Sequence, residues 1–191
     1  MVRKSEKPKQ IVDATFRLLR DKRYYEITTD DIAKEAKVGK GTLYRYFTDK
    51  DDLLIELAST IIERIAGLCK KSIETEESLR GRLIQISITC QTFLRENPAI
   101  FKVINEEYEI FMKRMEEKPM CDHHRPFYEL ISGVFEEAIE SGELESEHDL
   151  FFLVVMFKTL MRGTSELNFF VPEQAINFEQ TVDFFLKGIS K

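Results

Sequence analysis

Tryptophan is absent from this 191-residue chain, and turn-forming residues are few, with 8 glycines and 5 prolines. A β-rich domain turns often and draws on such residues to do so, so their scarcity argues against sandwiches and barrels. Cysteine is also sparse. Cys69, Cys90 and Cys121 are odd in number and widely spaced, which excludes a disulfide framework and makes a reducing cytoplasm the expected setting. Long apolar runs are missing too. The longest, Leu150 to Phe157 (LFFLVVMF), is followed by Lys158 and Arg162, whereas a bilayer span needs about 20 apolar residues. The opening MVRKSEKPKQ has no apolar stretch after it, so no secretory signal is expected. What remains is an ordinary globular composition, 43% hydrophobic and 32% charged. Fifteen phenylalanines point to an aromatic core. The length fits one large domain or two modest ones, with enough chain to bury a core without staples.

Charge is unevenly placed. The chain carries a net −6, yet residues 1–50 hold 13 Lys+Arg against 8 Asp+Glu, a balance of +5. Residues 51–191 hold 15 against 26, a balance of −11. Such asymmetry suits a basic part that meets a polyanion.

Helical periodicity runs throughout, and the expected fold is all-α, with about nine helices. Ile11, Ala14, Thr15, Leu18 and Leu19 mark a first amphipathic helix, with Pro8 at its start and a basic arm of Arg3, Lys4, Lys7 and Lys9 at the N-terminus. Thr28 or Thr29 caps a short second helix, whose first turn holds Asp30 and Asp31 and whose Ile32 and Ala36 face inward. The break at Val38-Gly39 assigns Gly39 a positive φ. A third helix, starting near Lys40 or Gly41, turns Leu43 and Phe47 inward. A long helix is expected from about Lys50 to Glu74. Further helices follow: one through Leu79, Leu83, Ile86, Cys90 and Phe93; one opened by Asn97-Pro98; then 127–140, 147–168 and 173–187. The natural division lies near residue 48, giving parts 1–48 and 49–191.

Two short helices joined by a tight turn form a helix-turn-helix, whose second helix enters the major groove of DNA. Gly41 lacks a side chain, so the start of that helix can approach a phosphate or base closely. Lys40 adds positive charge there, and Thr42, Tyr44, Arg45 and Tyr46 remain open to solvent or DNA. Thr29 sits at a helix N-terminus, a ready anion site.

The stretch 28–54, TTDDIAKEAKVGKGTLYRYFTDKDDLL, closely resembles the signature of the TetR (tetracycline-repressor type) family of bacterial transcriptional regulators. The matching residues are Thr28-Thr29, Ile32-Ala33, Ala36, Val38, Lys40-Gly41-Thr42-Leu43-Tyr44, Tyr46-Phe47, Lys50 and Asp52-Leu53-Leu54. The resemblance covers about residues 8–55. It implies a homodimer that represses transcription from a double-stranded, pseudo-palindromic DNA operator until a small molecule binds. It also implies phosphate contacts from Thr29, Thr42, Tyr46 and Lys50, and groove contacts from Lys40, Tyr44 and Arg45. Some relatives carry an arginine just after the second threonine; here Asp30 stands there, and it repels phosphate and cannot donate to guanine.

The acidic remainder is expected to bind the effector and to dimerise. LFFLVVMFKTLM is apolar on nearly every face, so one face serves its own core and another needs a partner. Together with the last helix it makes the helices around 147–168 and 173–187 the expected interface. Phe93, Phe101, Tyr108, Phe111, Met112, Met115, Phe127 and Met156 are candidate lining for a largely apolar effector, and ordinary core packing is the competing role for each. Cys121, His123 and His124 are proper metal-ligand types but fall short of the four ligands of a structural site; no metal or other cofactor is expected. A metal-dependent enzyme or sensor built on those residues is the rival reading, and a helical scaffold that binds only protein is a third. No nucleophile, base and orienting group recur in a catalytic arrangement, so the chain reads as a non-enzyme.

Overall fold

The computed structural model describes residues 6–101, 103 and 125–189. Among the described residues the regular structure is entirely helical. The helices are α1 (Glu6–Leu18), α2 (Thr29–Glu35), α3 (Lys40–Tyr46), α4 (Lys50–Ser72), α5 (Leu79–Glu96), α6 (Arg125–Glu140), α7 (Leu150–Phe170) and α8 (Phe178–Ile189). Short 3₁₀ turns sit at Tyr24–Glu26 and Pro172–Gln174. Residues 98–101 are helical as well, and the Asn97 carbonyl accepts from the Ile100 and Phe101 N–H groups at their start. The expected continuation of that helix through Tyr108, Phe111, Met112 and Met115 lies outside the described residues, as do Arg3, Lys4, Cys121, His123 and His124.

The chain divides into two compact units, Met1–Ile61 with Asn97–His123, and Ile62–Glu96 with His124–Lys191. Helix α4 contributes its first half to one and its last part to the other. In the first unit α1 packs on α2, and α2 on α3. The apolar stripe of α1 supplies Ile11, Val12 and Ala14, all buried together with Ile27, Ile32, Leu43, Phe47, Leu53, Leu54 and Leu57. Helix α1 begins at least two residues before Pro8, so Lys7 and Lys9 belong to the helix and not to an arm. Proline is tolerated there because the first N–H groups of a helix have no intrahelical acceptor.

In the second unit α5 packs on α8, α6 on α7, and α7 on α8. Three rings make its centre: Phe135 lies 6.3 Å from Phe157 and 6.0 Å from Phe185, and Phe157 lies 5.6 Å from Phe185, each pair inclined. Inclined rings at this separation are the favoured arrangement for aromatic quadrupoles, which realises the aromatic core expected from composition. Helix α7 starts at Leu150, later than expected, because the Asp149 carboxylate caps it by accepting from the Phe152 N–H at 2.8 Å. Helix α8 starts at Phe178, not near 173, because Pro172–Gln174 closes as a 3₁₀ turn. The Asn168 side chain ties that connector down, accepting from the Ile176 N–H at 2.7 Å and donating to the Ile176 carbonyl at 2.9 Å. Gly142 takes φ +76° just beyond α6, the left-handed position that glycine occupies without penalty at a helix end. Helix α8 runs through Gly188 to Ile189 instead of stopping there.

Candidate nucleic-acid interface

Helix α2 is started by Thr28. Its hydroxyl accepts from the Asp31 N–H at 3.1 Å, while the Asp31 carboxylate accepts from the Thr28 N–H at 3.0 Å, a reciprocal capping box. The Thr28 backbone bond foremost, then the Thr28 hydroxyl and the Lys22 ammonium, hold the Asp31 carboxyl below its ordinary value. Thr29 is therefore free of capping duty, and its hydroxyl lies 3.3 Å from the Tyr44 hydroxyl of α3.

The turn between the helices differs from expectation at one residue. Gly39 has φ −72°, an ordinary extended value, and serves as the N-cap of α3. The left-handed residue is Lys37, at φ +52°. The Val38 N–H returns to the Ala33 carbonyl at 2.9 Å, the longer of the two bonds of a Schellman closure, which requires its left-handed residue directly after the Ala36 cap. Gln10 of α1 completes this end by donating its amide to the Ala36 carbonyl at 2.7 Å. Its spacing from Ala36 along the chain hid this role from sequence reasoning. The Arg17 guanidinium, 2.6 Å from the Glu35 carboxylate, adds a second tie between α1 and α2.

Helix α3 buries Leu43, and Phe47 just beyond it, and thereby fixes which side faces outward. Lys40, Gly41, Tyr44 and Arg45 are exposed; Thr29, Thr42 and Tyr46 are partly so. A Cβ on Gly41 would meet nothing within 4 Å, so internal packing does not require glycine there. The Lys40 ammonium lies 2.8 Å from one Asp30 oxygen and 3.0 Å from the other, and this bond raises its pKa. Arg45 donates to the Tyr46 hydroxyl at 2.9 Å with its guanidinium 4.9 Å from that ring. Thr29, Lys40, Gly41, Thr42, Tyr44, Arg45 and Tyr46 are thus gathered around one short helix and the start of another.

Lys50 is placed differently. Its ammonium donates to the Tyr24 carbonyl and lies 4.4 Å from the centre of the Tyr24 ring, while the Tyr24 hydroxyl donates to the Lys50 carbonyl. Burial pushes its pKa down. This reciprocal clamp holds the 3₁₀ turn after α1 to the first residue of α4. Sequence reasoning missed Tyr24, whose signal was an aromatic pair, Tyr24-Tyr25, inside an otherwise charged connector.

The candidate effector residues among the described residues fall in both units. Phe93 and Phe127 are buried in the second unit, near the Arg64 guanidinium (5.6 Å) and the Lys158 ammonium (6.0 Å) respectively, and burial depresses the Lys158 pKa. Phe101 is buried in the first unit. Met156 is 38% exposed on the outer face of α7, beside Phe152 and Val155, because a helix apolar all round gives no period by which to tell its inner face. A cleft of about 360 Å³ in the first unit is lined by residues that include Leu19, Arg20, Tyr24, Pro98 and Val103, and among the described residues none of the candidates lines it. Among the described residues no group of three or more metal-ligating side chains occurs, and no helix is long and apolar enough to cross a membrane.

An exposed cationic and aromatic helix, set by a capped partner helix and a tight turn, defines a helix-turn-helix DNA-binding protein. Residues 11–57 match the family described as bacterial regulatory proteins, tetR family. The chain is 24% identical over 150 residues to the fatty acid metabolism regulator protein of Bacillus subtilis, covering 77% of this chain and 76% of that one. It is 30% identical over 103 residues to a helix-turn-helix transcriptional regulator of Haemophilus influenzae, spanning 54% of this chain and about half (55%) of the relative. The crystal structure of FadR from Bacillus subtilis in complex with stearoyl-CoA shares the fold, with TM-score 0.71 and 21% identity over 95% of this chain and 98% of that one. FadR from Bacillus halodurans does so with TM-score 0.70 and 20% identity, over 97% and 95%. Through residues 11–57 the chain resembles the tetR family of bacterial regulatory proteins, and it is a DNA-binding transcriptional regulator.

Proposed function

We propose that this regulator is a repressor that binds a pseudo-palindromic operator as a homodimer and leaves it when a small, largely apolar molecule binds. Residues 1–48 read the DNA; residues 49–191 bind the effector and join the two copies. Lys40, Tyr44 and Arg45 meet the groove, Thr29, Thr42 and Tyr46 meet phosphates, and Gly41 lets the α3 backbone come close. Lys50 gives one proton to the Tyr24 carbonyl and meets a phosphate with another. The observation that carries the reading is the exposure of Lys40, Tyr44 and Arg45 on α3 while Leu43 and Phe47 are buried.

The outer face of α7 and α8 supports the dimer. Phe151, Val155, Leu167 and Phe170 of α7 and Phe184 of α8 are exposed, Phe170 and Phe184 at 68% and 73%, and apolar surface left open at this density suits a partner. Two copies double the phosphate contacts and read half-sites about 34–36 Å apart. The relatives described as a fatty acid metabolism regulator and as a complex with stearoyl-CoA make a long acyl chain, presented as stearoyl-CoA, the first apolar effector group to test.

The test is selection from a random duplex pool, followed by titration of the recovered complex with stearoyl-CoA. The expected result is a two-fold symmetric motif and release of the duplex by the acyl-CoA. Uniform weak binding with no enriched motif contradicts the DNA assignment, and a motif that acyl-CoA leaves bound contradicts the effector assignment.

A further inference from the structure

Asp30 is the residue of the interface that the capping bonds of its own helix do not use. Capping of α2 is carried out by Thr28 and Asp31, so Asp30, second in the helix, has no part in it. Its carboxylate instead crosses to the first residue of α3 and holds the Lys40 ammonium with both oxygens. The pair remains open to solvent, with Asp30 and Lys40 side chains 71% and 51% exposed. An ammonium has three protons and a carboxylate about four acceptor positions, so each keeps capacity for an outside partner after making this bond. A lone carboxylate on a DNA-facing surface is repelled by phosphate, but paired with Lys40 its charge is offset locally. What the two present together is a donor and an acceptor side by side.

The major-groove edge of a G·C pair is complementary to that. Guanine offers the O6 and N7 acceptors and cytosine offers the N4 amino donor; lysine favours the former and aspartate the latter. We propose that Asp30 and Lys40 act as one unit that reads a single G·C base pair, Lys40 donating to guanine and Asp30 accepting from the cytosine amino group. This rests on the DNA-binding reading and assigns a base to it. It makes Asp30 a specificity-determining residue where a simple charge count makes it an obstacle.

The experiment is selection from a random duplex pool with the full chain, in parallel for wild type, Asp30→Ala and Asp30→Asn. Both variants should stay folded with at most a small drop in thermal midpoint, since the side chain is exposed and gives up only its charge at the start of α2 and its bond to Lys40. Wild type should enrich a G·C pair at one position of each half-site. Asp30→Ala should keep the rest of the motif and lose discrimination at that position on the order of tenfold. Asp30→Asn should move the preference there toward adenine, whose N6 and N7 suit an amide. Tighter binding of Asp30→Ala to all duplexes with every preference unchanged would overturn the proposal, because Asp30 would then only restrain Lys40. An A·T pair at that position in the wild-type motif would overturn it as well. If wild type enriches no motif, the DNA-binding reading itself fails, a result distinct from a motif that ignores Asp30.

Discussion

Lys37 holds φ +52° where the chain reverses from α2 into α3. A side-chain-bearing residue pays a steric penalty in this region that glycine escapes, partly offset by the greater freedom glycine loses on folding. Lys37→Gly should therefore stabilise the protein by about 0.5–1 kcal/mol, read as a higher urea midpoint at unchanged slope. A lower midpoint would show that the strain is absent. Gly39 drew attention in the sequence because glycine and turn go together, but residue type does not say which of three successive positions turns left-handed. The closure from Val38 to Ala33 decides it, and that depends on where α2 ends. The tie between Lys50 and Tyr24 was hidden for a related reason. The partner of Lys50 is a backbone carbonyl at Tyr24, and no side-chain pattern announces a carbonyl.

At the scale of elements, α2 and α3 were legible because each carries a local signal. A capping threonine with an acid three residues on marks the start of α2, and Leu43 with Phe47 marks the buried face of α3. Helix α7 was only half legible. Its existence followed from its apolar run, but with apolar residues on nearly every face the periodicity could not say whether Met156 or Phe157 points inward. The structure buries Phe157 in the ring cluster and leaves Met156 on the outer face with Phe152 and Val155. That outer face tests the dimer. Phe184→Glu alters an exposed side chain, for which a change in monomer stability within about 0.5 kcal/mol is usual. It should convert a dimer to a monomer at micromolar concentration by sedimentation, with helix content retained. Wild type that sediments as a monomer at every concentration would contradict the proposed interface.

Over the whole chain, the net balance is positive in residues 1–50, which carry α1 to α3, and negative in residues 51–191, so the field of the N-terminal part favours a polyanion. The effector site was the least legible feature. Aromatics and methionines at helical spacing serve a core and a pocket equally well, and Phe93, Phe101 and Phe127 are buried in ways that any core residue would be. The central claim concerns α3. Its most direct test is the affinity of Lys40→Ala and Arg45→Ala for the selected duplex, with thermal unfolding measured on the same samples. The account predicts unchanged thermal midpoints and a loss of affinity of about 1–3 kcal/mol for each variant, roughly tenfold or more. Wild-type affinity in both variants would contradict it.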